Sequence, residues 1–162
     1  MAKTALVTGA SSGIGREIAR DLSARGFRVI LSARREERLR ELAKELGDNT
    51  RVIVCDVSDR EECLRLYEET KNEKISVLVN CAGFGAVGSF DKLPLDTELK
   101  MIDTNVTAVH MLTKLFLKDF VAADRGYIMN IASSAGLMYG GPMMATYLSL
   151  IHISEPTRHS LI

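Results

Sequence analysis

The stretch Thr8-Gly9-Ala10-Ser11-Ser12-Gly13-Ile14-Gly15 lies between an apolar run and a segment with helical periodicity, residues 14–24. Its three glycines permit a tight turn and a close approach of the backbone to a ligand. The helix that follows presents free N–H groups and the positive end of its dipole, which suit a phosphate group. The spacing differs from the usual G-x-G-x-x-G, and a glycine-rich turn before a helix also occurs as plain turn chemistry. Its place after a first strand favours the phosphate-binding loop of a nucleotide-binding sheet.

Strand-like and helix-like segments alternate along the rest of the chain. Strands are predicted at residues 4–8, 27–31, 51–55, 75–79 and 126–131, and helices at residues 14–24, 35–46, 59–72 and 96–123. The strand segments are short, apolar and nearly unalternated, which is typical of a parallel sheet covered by helices on both faces. We therefore predict one α/β domain with a parallel sheet.

Composition excludes several classes of protein. The 162 residues carry 21 Lys and Arg against 21 Asp and Glu, so the zero net charge gives no general attraction to nucleic acid or to an anionic membrane. No apolar run approaches the roughly 20 residues of a membrane helix. The amino terminus leads almost directly into a strand, which leaves no room for a signal peptide and predicts a cytoplasmic protein. Cys55, Cys63 and Cys81 share no ligand-like spacing, so we expect reduced thiols and no metal site.

Five motifs in order resemble the short-chain dehydrogenase/reductase family. They are residues 8–15, Asp56-Val57, Asn80-Cys81-Ala82-Gly83, Asn105, and Asn130-Ile131-Ala132-Ser133 with Tyr147 downstream. The resemblance covers residues 1–147. It implies a Rossmann-type doubly wound parallel sheet that binds a nicotinamide dinucleotide and transfers a hydride to or from a carbonyl/alcohol pair.

The resemblance also implies a role for individual residues. Asn105 would hold a water of the proton relay, Ser133 would orient the substrate oxygen, and Tyr147 would donate the proton. The implied cofactor-binding residues are Gly9, Ser11, Ser12, Gly13, Ile14, Gly15, Arg34, Asp56, Val57, Asn80, Ala82 and Gly83.

Three of these assignments have alternatives. Asp56 is also explained as a turn residue at a strand end, and Asn105 as an exposed polar residue of a helix. Ser134 competes with Ser133 for the catalytic position. The spacing of three residues to Gly136 in the sequence favours Ser133, which is the residue we prefer. The spacing of 13 residues to Tyr147 favours Ser134.

The end of the second predicted strand indicates which nicotinamide cofactor is bound. Ala33 stands where family members that prefer NAD have Asp, and Arg34 follows it. A guanidinium suits a ribose 2′-phosphate in charge and in fork geometry, so we predict NADP(H) rather than NAD(H). The alternative is that Arg34 and Arg35 only begin the solvated face of a helix.

The resemblance stops at Tyr147. In the family a Lys follows the tyrosine by four residues, and its ammonium group favours the phenolate, but here Ile151 stands at that position. Residues 148–158 coincide at every position with the in-frame translation of a transposase adapter used in preparing sequencing libraries. We therefore expect residues 1–147 to be an incomplete Rossmann domain without its C-terminal strands, and residues 148–162 to be a non-native tail.

The resemblance thus implies an oxidoreductase that acts on a small carbonyl or alcohol substrate and whose parent protein is a homo-oligomer. Because the Lys is missing, we expect the chain as written to be an inactive fragment. Two alternatives stay open: an NADP(H)-binding module without catalysis, and a truncated product without function.

Overall fold

The computed structural model describes residues 3–137 and 143–154. Its centre is a sheet of five parallel strands in the spatial order β3-β2-β1-β4-β5. The strands are β1 (Thr4–Thr8), β2 (Arg28–Ala33), β3 (Thr50–Val54), β4 (Ile75–Asn80) and β5 (Tyr127–Asn130). The chain winds outward from β1 to β3 and then returns to place β4 on the other side of β1. This order confirms the doubly wound sheet and puts a crevice at the carboxyl ends of β1 and β4, where such sheets bind ligands.

Among the described residues, six α-helices connect and follow the strands. They are α1 (Gly13–Ala24), α2 (Glu36–Leu46), α3 (Arg60–Thr70), α4 (Leu95–Ile102), α5 (Ala108–Ala122) and α6 (Ala145–Ser154). The single helix predicted at residues 96–123 is instead two α-helices joined by a π-helical turn, Asp103–Thr107. A π turn accommodates one extra residue and is frequent at functional sites, and periodicity alone does not reveal it.

Two apolar layers cover the two faces of the sheet. On one face α1 and α2 contribute Ala19, Leu39 and Leu42, which pack on strand residues such as Val29 and Val79. On the other face the cluster joins α3 and α5 to the sheet, and its members include Cys63, Leu66, Leu112, Phe116, Leu6 and Leu78. Helices on both faces explain why the strands are apolar along their whole length.

Among the exposed apolar side chains, two groups lie on regular elements at the edge of the fold. In β5, Tyr127 and Met129 are exposed, and no strand among the described residues pairs with the outer edge of β5. A second group lies on α4 and α5 and consists of Leu99, Ile102, Leu117 and Val121. None of the helices within residues 3–137 and 143–154 is long and apolar enough to cross a membrane.

The predicted tail enters the structure only in part. Residues 148–154 continue α6, and Leu150 and Ile151 are buried. Residues 155–162, which include Pro156, lie outside the described residues. The division at residue 147 therefore stays a prediction.

Candidate cofactor and active site

The glycine-rich loop is packed too closely for side chains at two of its positions. Gly9 has a φ of +69°, and a Cβ there would lie 2.8 Å from the Cα and N of Ala82. A Cβ on Gly15 would lie 2.6 Å from the carbonyl oxygen of Gly9. By contrast, a Cβ on Gly13 would meet no atom within 4 Å. The loop is thus closed against the protein and open on the side of Gly13, at the N-terminus of α1, as a phosphate site requires.

Thr8 fixes the loop against the end of β4. Its Oγ1 donates a hydrogen bond to the carbonyl oxygen of Val79 at 3.2 Å. The same oxygen accepts hydrogen bonds from the N–H groups of Cys81 at 3.1 Å and Ala82 at 3.2 Å. One buried hydroxyl therefore joins the carboxyl ends of the two strands that flank the crevice.

A cavity of about 480 Å³ occupies this crevice. It is lined from the carboxyl ends of all five strands and from α6. Thirteen of the sequence-predicted site residues lie in its wall: Gly9, Ser11, Ser12, Gly13, Ile14, Gly15, Arg34, Asp56, Val57, Ala82, Gly83, Asn105 and Tyr147. The structure therefore brings together most of the residues that the sequence motifs singled out.

Asn80, Ser133 and Ser134 do not line the cavity. Asn80 is buried, and its Nδ2 donates to Oδ1 of Asn130 at 2.9 Å and to Oγ1 of Thr113 at 3.1 Å. It thereby supports the wall by joining β4 to β5 and α5. Oγ of Ser133 accepts from the N–H of Ala135 at 3.2 Å, and the exposed Ser134 begins a 3₁₀ turn. These contacts do not distinguish Ser133 from Ser134 as the residue in the catalytic position.

Asn105 lies in the π-helical turn and fixes the loop that follows β4. Its Nδ2 donates to the carbonyl oxygen of Phe84 at 2.8 Å, and its Oδ1 accepts from the N–H of Phe84 at 3.1 Å. The residue is only 7% exposed, which excludes the alternative of a solvated polar side chain. Because both ends of the amide bind one backbone segment, Asn105 sets the position of the cavity wall at Phe84.

Two arginines lie at the end of the cavity beside β2. Nη1 of Arg34 is 3.8 Å from Oδ2 of Asp56, and both side chains are well exposed, so this pair is weak. Oδ1 of Asp56 accepts from the N–H and Oγ of Ser58, which shows that Asp56 also shapes the turn after β3. Arg34 therefore keeps most of its hydrogen-bonding capacity for a ligand.

Arg35 is the charged residue of the cavity wall that sequence reasoning left out of the predicted site. Its Nη2 donates to Oγ of Ser11 at 3.0 Å and to Oγ of Ser12 at 2.6 Å, and its Nε donates to Ser11 at 3.2 Å. The guanidinium thus lies over the glycine-rich loop. The pair Arg34-Arg35 was the available signal, but it fits a solvated helix start equally well.

Tyr147 and Ile151 enter the cavity wall from successive turns of α6. The ring of Tyr147 packs on Gly85, where an added Cβ would lie 3.1 Å from Cδ2 of the ring. Ile151 is buried in the cavity wall, at the sequence position where the family has its Lys. The site has a phenol but no ammonium group beside it on this helix.

The cysteines take no part in this chemistry. Burial raises the pKa of Cys55 to about 12 and that of Cys63 to about 11, and it also raises the pKa of Cys81 in the cavity wall. All three are free thiols that stay protonated at neutral pH. Within the described ranges, no group of three or more His, Cys, Asp or Glu side chains could hold a metal ion.

The doubly wound sheet, the loop at the N-terminus of α1 and the cavity at the carboxyl ends of the strands define a nucleotide-binding α/β protein. A sequence model of the short chain dehydrogenase family matches residues 3–149. The chain belongs to this family, whose members bind nicotinamide cofactors.

Similar proteins include reductases of 3-oxoacyl groups. The chain is 38% identical over 145 residues to the 3-oxoacyl-acyl-carrier-protein reductase FabG of Rickettsia prowazekii. The aligned residues cover 90% of this chain and 59% of that protein. It is 42% identical over 140 residues to a putative ketoacyl reductase of granaticin polyketide synthase from Streptomyces violaceoruber, over 82% of this chain and 51% of the relative. The chain thus spans about three-fifths or less of the length of these relatives.

Solved structures of similar fold include two in complex with a phosphorylated nicotinamide cofactor. One is an actinorhodin polyketide ketoreductase variant with NADPH, with a TM-score of 0.86 and 39% identity over 93% of this chain and 60% of the other. The second is a metagenomic short-chain oxidoreductase in complex with NADP, with a TM-score of 0.86 and 34% identity over 91% of this chain and 68% of the other.

Proposed function

We propose that this chain is the cofactor-binding part of an NADP(H)-dependent oxidoreductase that interconverts a carbonyl and an alcohol. The observation that carries the proposal is the pair of guanidinium groups, Arg34 and Arg35, at one end of a cavity whose other end contains Tyr147. The NADP and NADPH named for two structures of similar fold support the same cofactor.

The residues present fit this cofactor. The N–H groups at the start of α1 and the open side of Gly13 would bind the pyrophosphate. The guanidinium of Arg34 would form a charge-assisted hydrogen bond with the 2′-phosphate, and Arg35 would add a second positive charge beside Ser11. No side chain at Ala33 offers a carboxylate to the 2′-hydroxyl of NAD, and a carboxylate there would repel the phosphate.

The reaction divides between the cofactor and the chain. The nicotinamide supplies or accepts the hydride when it is bound. Tyr147 would donate a proton to the carbonyl oxygen as that oxygen gains charge, and Ser133 would hold the oxygen by a hydrogen bond. Asn105 keeps the wall at Phe84 in place around the reacting groups.

Ile151 limits this chemistry. The phenolate that remains after proton transfer is stabilised by a nearby positive charge, and an aliphatic side chain gives none. We therefore propose that the chain as written binds NADP(H) but turns over carbonyl substrates slowly or not at all. A binding module without catalysis is the second candidate, and the buried Ile151 is the observation that favours it.

Residues 148–162 are proposed to be a non-native extension. The family match ends at Ser149, and residues 148–158 are identical to the translated adapter. On this proposal a parent protein continues after Tyr147 with other residues, acts in the cytoplasm, and associates with itself through the exposed apolar residues of α4 and α5. A natural gene that encodes this chain and continues through residues 148–162 would overturn the assignment of the tail.

The function is tested by titrating the purified chain with NADPH, followed by fluorescence, and then by assaying NADPH oxidation with a panel of ketones and 3-oxoacyl esters. Binding without turnover is the result we expect for this chain. Binding with turnover would show that Ile151 is compatible with catalysis. Absence of NADPH binding by a folded chain would overturn the proposed function.

A further inference from the structure

A buried carboxylate on α4 lies outside the cofactor site and contacts α6 next to Tyr147. Glu98 is 8% exposed, and its Oε1 accepts a hydrogen bond from Oγ1 of Thr146 at 2.6 Å. Carboxylates are rarely buried without a partner, because removing the charge from water costs several kcal/mol. A short bond from a hydroxyl to a carboxylate is of the strong, charge-assisted kind.

Three contacts hold the start of α6 against the rest of the site. The N–H of Gly88 donates to the carbonyl oxygen of Met143 at 2.8 Å, just before the helix. The bond between Glu98 and Thr146 lies in the first turn of the helix. The ring of Tyr147 then packs closely against Gly85, where an added Cβ would make a tight contact of 3.1 Å with the ring.

The contact of Glu98 differs from the other two because a side chain makes it from another helix. Thr146 precedes Tyr147 directly, so a displacement of one at the start of α6 moves the other. α4 continues into the π turn that holds Asn105. Glu98 therefore connects the helix of Tyr147 to the helix that leads into the π turn of the cavity wall.

We propose that Glu98, through its hydrogen bond with Thr146, is a positioning residue that fixes the orientation of the Tyr147 phenol in the cavity. The proposal deepens the proposed function, since it assigns a support to the proton donor, but it concerns a geometry that exists without turnover. Glu98 itself does not line the cavity.

The experiment uses the full chain with ¹³C-labelled tyrosine, observed by NMR. The chain contains four tyrosines, and the Tyr147→Phe variant assigns the signal of interest. Thr146→Val removes the hydroxyl at nearly constant volume, whereas Thr146→Ser keeps it. Ser149→Ala is the matched control, because the exposed Ser149 lies on the same helix and its Oγ donates within that helix to the carbonyl oxygen of Ala145.

We expect Thr146→Val to move the ring signals of Tyr147 by more than their linewidth, while Thr146→Ser and Ser149→Ala leave them in place. Glu98→Asp shortens the side chain by one methylene and should also move the ring signals of Tyr147. It serves as the second test if Thr146→Val does not fold. Unchanged Tyr147 signals in folded Thr146→Val or Glu98→Asp would overturn the proposal. Equal displacement by Thr146→Ser or by Ser149→Ala would also overturn it.

An NADPH titration of the same samples separates this inference from the proposed function. If the wild-type chain fails to bind NADPH while Thr146→Val displaces the Tyr147 signals, the proposed function fails and the positioning role stands. If NADPH binds and the signals do not move, the positioning role fails alone.

Discussion

Arg34 and Arg35 differ in how much of their hydrogen-bonding capacity is already used. Arg35 donates to two serine hydroxyls of the glycine-rich loop, whereas Arg34 has a single weak and exposed ion pair with Asp56. A free guanidinium can meet a phosphate bidentately, and this geometry discriminates strongly between ligands with and without the phosphate. We therefore propose that Arg34 chiefly selects the cofactor.

Replacing Arg34 with Ala should raise the dissociation constant for NADPH about tenfold to a hundredfold, the loss expected for a hydrogen bond between charged groups. The constant for NADH should change little, because NADH has no 2′-phosphate. Fluorescence titration with both cofactors measures the two constants. Arg38→Ala, an exposed residue of α2, is the control and should alter neither. Equal losses for NADPH and NADH would contradict the role of Arg34.

Gly9 and Gly13 test how closely the loop is packed. Both have positive φ, so an Ala at either position costs about 1–2 kcal/mol in backbone strain. At Gly9 the added methyl would also overlap the backbone of Ala82, which adds about 1–3 kcal/mol of overpacking. Urea unfolding should thus show Gly9→Ala to be clearly less stable than Gly13→Ala. Equal unfolding midpoints for the two variants would contradict the close contact between the glycine-rich loop and the backbone that follows β4.

At the scale of single residues, the sequence predicts the glycine loop but only part of the wall. Gly9 and Gly13 belong to a motif whose spacing has a local physical reason. The hydrogen bonds of Arg35 join the start of α2 to a loop more than twenty residues earlier, and such a contact depends on the tertiary fold. For the same reason the sequence did not reveal that Asn80 lies behind the wall.

At the scale of elements, the π turn between α4 and α5 is the main departure from prediction. Residues 96–123 have a helical period, which predicts one continuous helix. The extra residue in Asp103–Thr107 lets Asn105 bind the backbone of Phe84 on both sides of its amide. Hydrophobic spacing does not encode this turn, because a π turn shifts the register by only one residue.

The second element of interest is α6, where Ile151 follows Tyr147 by one turn. Ile151→Lys would bring a cation towards the phenol and should raise the rate of NADPH-dependent carbonyl reduction above that of the wild-type chain. Ile151→Met has similar length without charge and is the matched control. A steady-state assay by NADPH absorbance measures both. If Ile151→Lys folds and binds NADPH but is no faster than Ile151→Met, the proposal that the missing cation at residue 151 limits turnover is contradicted.

At the scale of the whole molecule, the sheet and its two apolar layers follow closely from the sequence. All five strands were located to within a few residues, because each is an apolar run between helical segments. The hydrophobic pattern of the sequence does not predict that Tyr127 and Met129 on β5 are exposed. Their exposure depends on which other elements pack against this strand. Relatives that are longer have further chain available to cover such surfaces, and an uncovered apolar edge favours aggregation.

Burial of the thiols in the core makes the stability depend on pH. In the unfolded chain Cys55 has an ordinary pKa of 9.0, whereas burial holds the native pKa near about 12. Between these values the unfolded state binds fewer protons than the native state. The contribution of the buried thiol to the free energy of unfolding is therefore complete below pH 9 and is lost as pH rises towards 12. The free energy of unfolding should therefore fall through this range, and less steeply in Cys55→Ala. Parallel pH profiles for the two proteins, measured by urea unfolding, would contradict the burial of Cys55.

The central claim is that NADP(H) binds in the crevice at the carboxyl ends of the sheet. NMR mapping of backbone amides in the ¹⁵N-labelled chain during an NADPH titration tests it most directly. We predict saturable shifts at Gly9, Gly13, Arg34, Asp56 and Gly83, and none in the basic groove at the opposite end that contains Lys71, Lys74 and Arg125. Shifts confined to that groove, or no shifts in a folded chain, would contradict the account.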